Sequence, residues 1–409
     1  MSTIKLLQDK HIILGVTGGI AAYKSAMICS RLVQAGAVVD VVMTAASQEF
    51  ITPLTFQSLT HRPVHTDMFD LRARQNIAHV SLARAADVLV IAPATANTMA
   101  KLAQGLADNL LTTIALDTRA PLVLAPAMET GMWQHPATQT NLDKLRTWGV
   151  NIVGPAQGRL ASGGMGEGRM VEPDEVVGMV RLVLGRQGRL TGQKVVVTAG
   201  GTREAIDPVR YVSNHSSGKM GYALAEVARD LGAAVTLITT VNRPAPFGVE
   251  VIAVDSAQQM LEAVLAATHQ ADILVMAAAV ADFRPQAAAS HKIKKVVGVD
   301  KLTMEMVRNP DILAEIAAQK SVGQGPRITV GFAAETEDLL KNARNKLERK
   351  KLDLIVANDV TAADAGFGAD TNRVTLLVAD GSVEELPLMS KFEVAEAVFN
   401  TLERLDVAH

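Results

Sequence analysis

One cysteine in 409 residues, Cys29, rules out an intramolecular disulfide and any metal site built wholly from cysteine. Excess charge is missing too. With 40 basic residues against 42 acidic ones, the formal net charge is -2, which argues against nucleic acid or a membrane surface as a partner. No stretch approaches the roughly 20 apolar residues needed to cross a bilayer. The opening MSTIKLLQDKHIILGVTGG lacks the basic, apolar and small-residue order of a secretory signal. These absences predict a soluble, cytoplasmic protein. Core-forming material is plentiful, with 48% apolar and 20% charged residues, the balance of a folded chain. The length exceeds what one hydrophobic core organises and predicts two domains.

In the first half, short apolar runs rich in β-branched residues alternate with helix-length segments whose apolar residues recur three and four apart. The runs are 11–14, 38–43, 88–92, 122–125 and 152–154. Between the first two, Ala22, Met27, Ile28, Leu32 and Val33 form a helical stripe that also holds Cys29. The pattern breaks at GRQGRLTGQ, which has glycines and charges but no periodic apolar face. It resumes with runs at 194–198, 235–239, 273–276, 328–330 and 354–356, and a late hairpin is predicted from 373. The expected fold is α/β: two doubly wound, mostly parallel-sheet, Rossmann-like domains over 1–188 and 189–409, the first flavodoxin-like. No register aligns the halves as a repeat.

HIILGVTGGIAAYKS sets Gly15, Gly18 and Gly19 between a strand and a helix, where backbone N–H groups and the helix N-terminus face a phosphate. A tight turn with no ligand uses the same residues. Thr44 after the second run and APATANT after the fourth put small hydroxyl and amide groups at strand ends, where open α/β sheets bind ligands. His79 lies at an amphipathic helix, and histidine suits proton transfer near neutral pH.

Taken together, GVTGGIAAYK, His79, APATANT with GLADNLLT, PAM with Met132 and Trp133, and GMGEGRM resemble the flavin-dependent cysteine decarboxylase family. The resemblance implies FMN bound between subunits by Gly18, Ile20, Thr44, Ala94 and Thr95, with His79 as acid/base. It also implies substrate contacts at Met128 and the residue after it. In that family the flavin oxidises the carbon bearing the thiol, carbon dioxide leaves, and the flavin returns the electrons. Two positions depart from the pattern. Glu129 stands where the family has an asparagine that holds the substrate carboxylate, and a carboxylate there repels another by roughly 4 kcal/mol at 4 Å and an effective dielectric of 20. Ser162 stands where the family has a proton-donating cysteine, and a hydroxyl is a far weaker acid. Decarboxylation is still expected, with the last proton coming from another donor or from water.

In the second half, VTAGGTREAIDPVRYVSNHSSGKMG puts Asn214 to Lys219 ahead of a helix, an arrangement that suits a phosphate without being a Walker loop. HKIKK adds Lys292, Lys294 and Lys295. KNARNKLERKK puts Lys346 and Lys350 one helical turn apart. SNHSSGKMG, AAVADFRP, KIKK, NPDIL, GFAAET and the lysine helix resemble, in this order, the phosphopantothenate–cysteine ligase family. That resemblance implies CTP and Mg2+ as ligands, with contacts at Asp282, Lys292, Asn309, Pro310, Asp311, Ile312, Phe332, Lys346 and Lys350. An inert carboxylate is then activated as an acyl-cytidylate, pyrophosphate leaves, and the cysteine amine opens the anhydride. Lys292 is expected to neutralise phosphate charge, Asn214 to donate to the acyl oxygen, and Arg210 to gate or hold the anhydride.

The expected protein is a bifunctional enzyme of coenzyme A biosynthesis acting on phosphopantothenate, cysteine and CTP, without nucleic-acid or membrane partners. The families imply trimeric flavin units and dimeric ligase units, together a dodecamer. A ligase that keeps its flavin domain for assembly, or a non-catalytic regulatory binding protein, are the alternatives.

Overall fold

The computed structural model describes residues 5–68, 78–294, 301–335, 339–359 and 369–406. Lys295 of the basic cluster and Thr336 of GFAAET lie outside them. The chain divides into two compact units, Met1–Gly185 and Arg186–His409.

In the first unit, β1 (His11–Val16), β2 (Val38–Met43), β3 (Val64–His65), β4 (Val88–Ala94), β5 (Leu122–Pro126) and β6 (Asn151–Ile152) form one sheet in the order β3-β2-β1-β4-β5-β6. Every pairing is parallel. The two-residue β3 lies at the edge. Without it the order is flavodoxin-like, and with it the order is that of six-stranded dinucleotide-binding sheets. Strand β4 is buried along its whole length, as a central strand covered on both faces must be. On one face Ile13, Leu89, Ile91 and Leu124 pack with Met99, Leu111, Ile114 and Leu142. Cys29 is buried in the helix Ala22–Gln34, and burial pushes its thiol up to about 12. The last strand is shorter than the 152–154 run suggests, because the chain turns at Gly154 with φ +83°. It then enters a hairpin of β7 (Ala156–Arg159) and β8 (Met165–Arg169) that no apolar run announces.

The second unit contains β9 (Lys194–Ala199), β10 (Arg203–Ala205), β11 (Tyr211–Ser213), β12 (Ala234–Thr239), β13 (Glu250–Ala253), β14 (Ile273–Met276), β15 (Phe283–Pro285) and β16 (Met306–Arg308). These are followed by β17 (Ile328–Glu335), β18 (Leu354–Asp359), β19 (Thr371–Asn372), β20 (Val374–Val378), β21 (Val383–Glu385) and β22 (Met389–Ser390). The main sheet runs β13-β12-β9-β14-β17-β18-β20-β21. It is parallel through β18 and then antiparallel across β20 and β21, the expected hairpin. Its parallel part repeats the strand order of the first unit, a likeness of topology that the two sequences do not reveal by alignment. Alternation along β9 supplies both layers. Val195 and Val197 face the helices Lys219–Asp230 and Lys391–Asp406 through Leu224, Val227, Val394, Val398 and Phe399. Val196 faces Met260, Val264 and Ile316 on the other side.

The helix Lys219–Asp230 lies so close to β9 that a Cβ on Gly221 would come within 2.5 Å of the Ala199 Cβ and 2.7 Å of the Thr198 carbonyl oxygen. Alanine improves helix propensity by about 1 kcal/mol, but overpacking against backbone costs about 1–3 kcal/mol. The clash wins. Gly221→Ala is expected to destabilise the second unit by about 1–2 kcal/mol in urea unfolding, whereas a gain in stability would mean the helix can move off the strand.

Candidate functional site

In the first unit the carboxyl ends of β1, β2, β4 and β5 open onto a cleft of about 1050 Å³, at the upper end of small-molecule sites. It lies where the chain crosses from β1 to the other half of the sheet, the switch point at which open α/β folds bind ligands. Thr17 Oγ1 donates to the Pro93 carbonyl at 2.6 Å and ties the ends of β1 and β4 together. A Cβ on Gly18 would sit 2.5 Å from the Ala46 Cβ, so only glycine lets the turn pass beneath the segment after β2. Thr95 caps the helix Ala96–Gln104 by accepting from the Thr98 amide at 3.2 Å. The helix Ala22–Gln34 begins without a side-chain cap, which leaves its positive end to an anion.

The far wall is the β7–β8 hairpin, seated on residues 128–130. The Met128 amide donates to the Gly168 carbonyl at 2.9 Å. Lys24, 3% exposed, fixes the end of the hairpin by donating to the carbonyls of Met170 at 2.8 Å and Val171 at 3.3 Å and to Glu172 at 3.1 Å. Its hydrogen bond holds the Glu172 carboxyl below the usual range against a smaller opposing effect of burial. Lys101 does the same for Asp108 at 2.6 Å.

In the second unit a smaller cleft of about 110 Å³ is lined by Ser216 to Gly221, Ala277 to Ala279, Phe332, Ala333, Asn358, Asn372 and Lys391. Lys219 and Lys391 each open a helix, so two positive helix ends and two ammonium groups line the same space. Burial, and then Lys219, lowers the Lys391 ammonium. Asp370 accepts from Lys219 at 2.6 Å and is lowered by that bond.

The flavoprotein family matches residues 2–185, and the DNA/pantothenate metabolism flavoprotein C-terminal domain family matches residues 190–405. The coenzyme A biosynthesis bifunctional protein CoaBC of Vibrio vulnificus is 46% identical over 403 residues, covering 98% of this chain and 99% of its own. Its namesake in Bacillus subtilis is 47% identical over 404 residues, covering 98% of each. The chain belongs to the bifunctional coenzyme A biosynthesis family. Among solved structures, the C-terminal domain of a CoaBC protein superposes with a TM-score of 0.44 at 40% identity, covering 54% of this chain and 98% of that one. The first unit is a flavoprotein domain.

Within this family member, Gly18, Ile20, Thr44, Thr95, Met128 and Glu129 line the large cleft, while Ala94 is buried at the end of β4 beneath it. Ser162, in the hairpin turn, reaches the cleft by donating to Glu129 Oε2 at 3.0 Å. His79 is half-buried in the helix Ala78–Ala85 and is not among the residues lining the cleft.

The predicted nucleotide contacts form separate groups. Only Phe332 lines the small cleft, from within β17 rather than at its end. Its carbonyl accepts from Lys346 at 2.8 Å. Asn214 adjoins this cleft, its amide donating to the Ala279 carbonyl at 3.1 Å. Asp282 lies beyond the end of β14, and its carbonyl accepts from the Asn309 amide at 2.9 Å. Asn309 and Pro310 lead into Asp311, which caps the helix Ile312–Ser321 and pairs with Lys350, while Ile312 is core. Lys292 is exposed outside the small cleft. Sequence reasoning missed Lys24, although it ends the quoted GVTGGIAAYK. It also missed Lys391, Asn358 and Asn372, which no motif marked.

It further missed Asp207, whose side chain is fully buried. Asp207 accepts from the amides of Val209 and Arg210 at 2.9 Å, from Arg210 Nε at 3.0 Å, and from the Ile293 amide at 3.1 Å. Arg210 Nη2 completes the staple by donating to the Ile293 carbonyl at 2.9 Å. Arg210 therefore holds the segment that carries Lys292. The Arg210 guanidinium keeps the Asp207 carboxyl far below the usual range, helped by the three amides and opposed by burial. A carboxyl lowered by folding stabilises above its unfolded value of about 3.9, and that contribution disappears as pH falls toward the folded value. Asp207→Asn is expected to speed hydrogen exchange at the Ile293 amide at least about tenfold at neutral pH. The parent is expected to keep that protection down to about pH 4. Equal exchange in the two proteins would show that the staple does not hold the segment.

Proposed function

We infer that the two units perform consecutive steps of coenzyme A biosynthesis. The second joins cysteine to 4′-phosphopantothenate through an acyl-cytidylate, converting CTP to CMP and pyrophosphate, and the first removes carbon dioxide from the product to leave 4′-phosphopantetheine. End-to-end similarity to bifunctional relatives, across two units that each carry a cleft at their strand ends, supports this reading.

FMN fits the large cleft. The turn at Gly18 has no room for a side chain, the uncapped helix end suits a phosphate, and Ile20 and Met132 offer apolar surface to a flat ring. When bound, the flavin supplies transient two-electron oxidation of the substrate. Thr44, Thr95, Gly18 and Ile20 hold and orient it, Met128 and Glu129 meet the substrate, and Ala94 backs the site. His79 serves as acid/base in this reading. Ile20, Tyr23 and Met132 are about half exposed or more at the cleft, an apolar rim suited to burial by another copy. An assembly of trimers and dimers into a dodecamer, with His79 contributed across such a contact, fits that rim.

In the ligase unit, a carboxylate attacks the α-phosphorus and charge accumulates on phosphate oxygens. Lys219, Lys391 and the two helix ends attract those oxygens, Lys292 neutralises charge from its stapled segment, and Asn214 donates to the acyl oxygen. Phe332, Asp282, Asn309, Pro310, Asp311, Ile312, Lys346 and Lys350 form the nucleotide side. Among the described residues no three His, Cys, Asp or Glu side chains cluster as a metal site. Mg2+ commonly binds through substrate phosphates and one or two carboxylates, so in this reading it arrives with the nucleotide, near Asp282. Among the described residues no helix is long and apolar enough to cross a membrane. A cytoplasmic location agrees with that.

Mass spectrometry of a reaction containing CTP, cysteine and 4′-phosphopantothenate tests both steps at once. CMP, pyrophosphate, carbon dioxide and 4′-phosphopantetheine are expected. Accumulation of phosphopantothenoylcysteine without carbon dioxide would favour a ligase that retains its flavin unit for assembly, a reading motivated by Glu129 and Ser162. No CTP-dependent pyrophosphate would leave only a regulatory binding role.

A further inference from the structure

Both lysines of the second-unit cleft are engaged by oxygen atoms of one short segment. Lys219 donates to Asp370 Oδ1 at 2.6 Å, Lys391 donates to the Ala369 carbonyl, and the Lys391 amide donates to the Asp370 carbonyl at 3.1 Å. Two ammonium groups and the first amide of the helix Lys391–Asp406 thus meet three oxygens of two consecutive residues. The same donors suit phosphate oxygens.

The three contacts differ in how readily they exchange. The backbone that follows is held by the ladder of β19 and β22, in which Thr371 pairs with Ser390 and Asn372 with Met389. Asn372 is buried, and its amide donates to Met220 Sδ at 3.8 Å. The Ala369 and Asp370 carbonyls therefore stay with Lys391, which is 8% exposed. The Asp370 carboxylate has no such anchor, because its side chain is 87% exposed and pairs with Lys219 from the solvent side. Lys219 and Lys391 repel each other, which helps to lower the Lys391 ammonium, and Asp370 offsets part of that repulsion. Arg243, whose guanidinium lies 5.4 Å from the centre of the Tyr222 ring, acts on Asp370 as a third cation.

We propose that the Asp370 carboxylate is a tethered stand-in for phosphate. It occupies Lys219 while the cleft is empty, yields that ammonium to the phosphates of the nucleotide, and takes it back as pyrophosphate leaves. This role rests on the ligase reading of the second unit. Lys391, fixed by backbone oxygens, keeps its place throughout, and Lys219 is the cation that changes partner. The exchange is one of ion pairs and involves no covalent step. A cleft whose ammonium groups and helix ends grip a triphosphate also grips the pyrophosphate split from it. Pyrophosphate has no nucleoside to hold it elsewhere, so a carboxylate tethered beside Lys219 competes directly for the contacts that retain it. Asp370 is a positioning residue, acting through Lys219 and not on the reacting atoms.

The test uses the full chain and two probes, inorganic pyrophosphate and CTP, each titrated calorimetrically with Mg2+ present. Asp370→Asn removes the competing charge and keeps the shape of the side chain. It is expected to bind pyrophosphate about tenfold more tightly than the parent at low salt, because a competing ion pair and a nearby like charge both disappear. The gain is expected to shrink as salt rises. Asp370→Ala is expected to show the same gain, and in both variants pyrophosphate becomes a stronger product inhibitor while KM for CTP falls. A residue that served only to hold the fold would weaken binding when replaced. In a Lys219→Met background, Asp370→Asn is expected to gain less than about threefold, since only the nearby charge is then removed. Parent-like or weaker pyrophosphate affinity in both Asp370 variants would overturn the proposal, as would an undiminished gain without Lys219. A parent that binds neither CTP nor pyrophosphate would instead remove the ligase reading, and the stand-in with it.

Discussion

Parallel strands followed by helices force one electrostatic arrangement on both units. The strands end together at one edge, the helices that follow begin there, and unpaired amide groups at those helix ends give the edge a positive character before any side chain is added. In the first unit this produces a large cleft beside Gly18, Thr44 and Thr95, and in the second a small one beside Ser216 to Lys219. Side chains then adapt each edge to its ligand. The first unit spends its buried lysine, Lys24, on fixing a hairpin wall. The second points Lys219 and Lys391 into the cleft itself. This division suits the proposed ligands, a flat cofactor with a single phosphate in the first unit and a triphosphate in the second.

The same edge explains why the units share a six-strand order while their sequences do not align. Topology is set by the alternation of apolar runs and helical stripes, which both halves have. Residue identity at the edge answers to the ligand, and the proposed ligands differ. In the family's chemistry the product of the second unit is the substrate of the first, so one chain supplies both catalysts in a fixed ratio.

Much of this was legible in the sequence because it depends on periodicity. Buried β-branched runs such as VLVIA in β4 and KVVVTA in β9 read as central strands. Gly18 and Gly19 marked the turn from β1 into the first helix, and Asn214 to Gly218 marked the turn into the helix Lys219–Asp230. Contacts that depend on distant segments were not legible. Asp207 is an ordinary acidic residue until folding brings the Ile293 amide to it across more than eighty positions. Lys391 reads as one more lysine until its helix packs beside Lys219–Asp230. Glu129 and Ser162 stood out as two separate departures from a family pattern, and only the fold joins them in one hydrogen bond. The ribbons β7–β8, β10–β11 and β15–β16 were missed for a related reason: strands of three to five residues are too short to carry an alternating apolar signal.

The central claim is that the strand-end edge grips phosphate, and comparing a phosphorylated ligand with its bare counterpart measures that directly. The affinity of the flavin-free protein for FMN and for riboflavin, followed by flavin fluorescence at low and high salt, isolates the phosphate contribution. The account predicts that FMN binds at least about 100-fold more tightly at low salt and that the gap narrows as salt screens the charge. Equal affinities for the two flavins would contradict it.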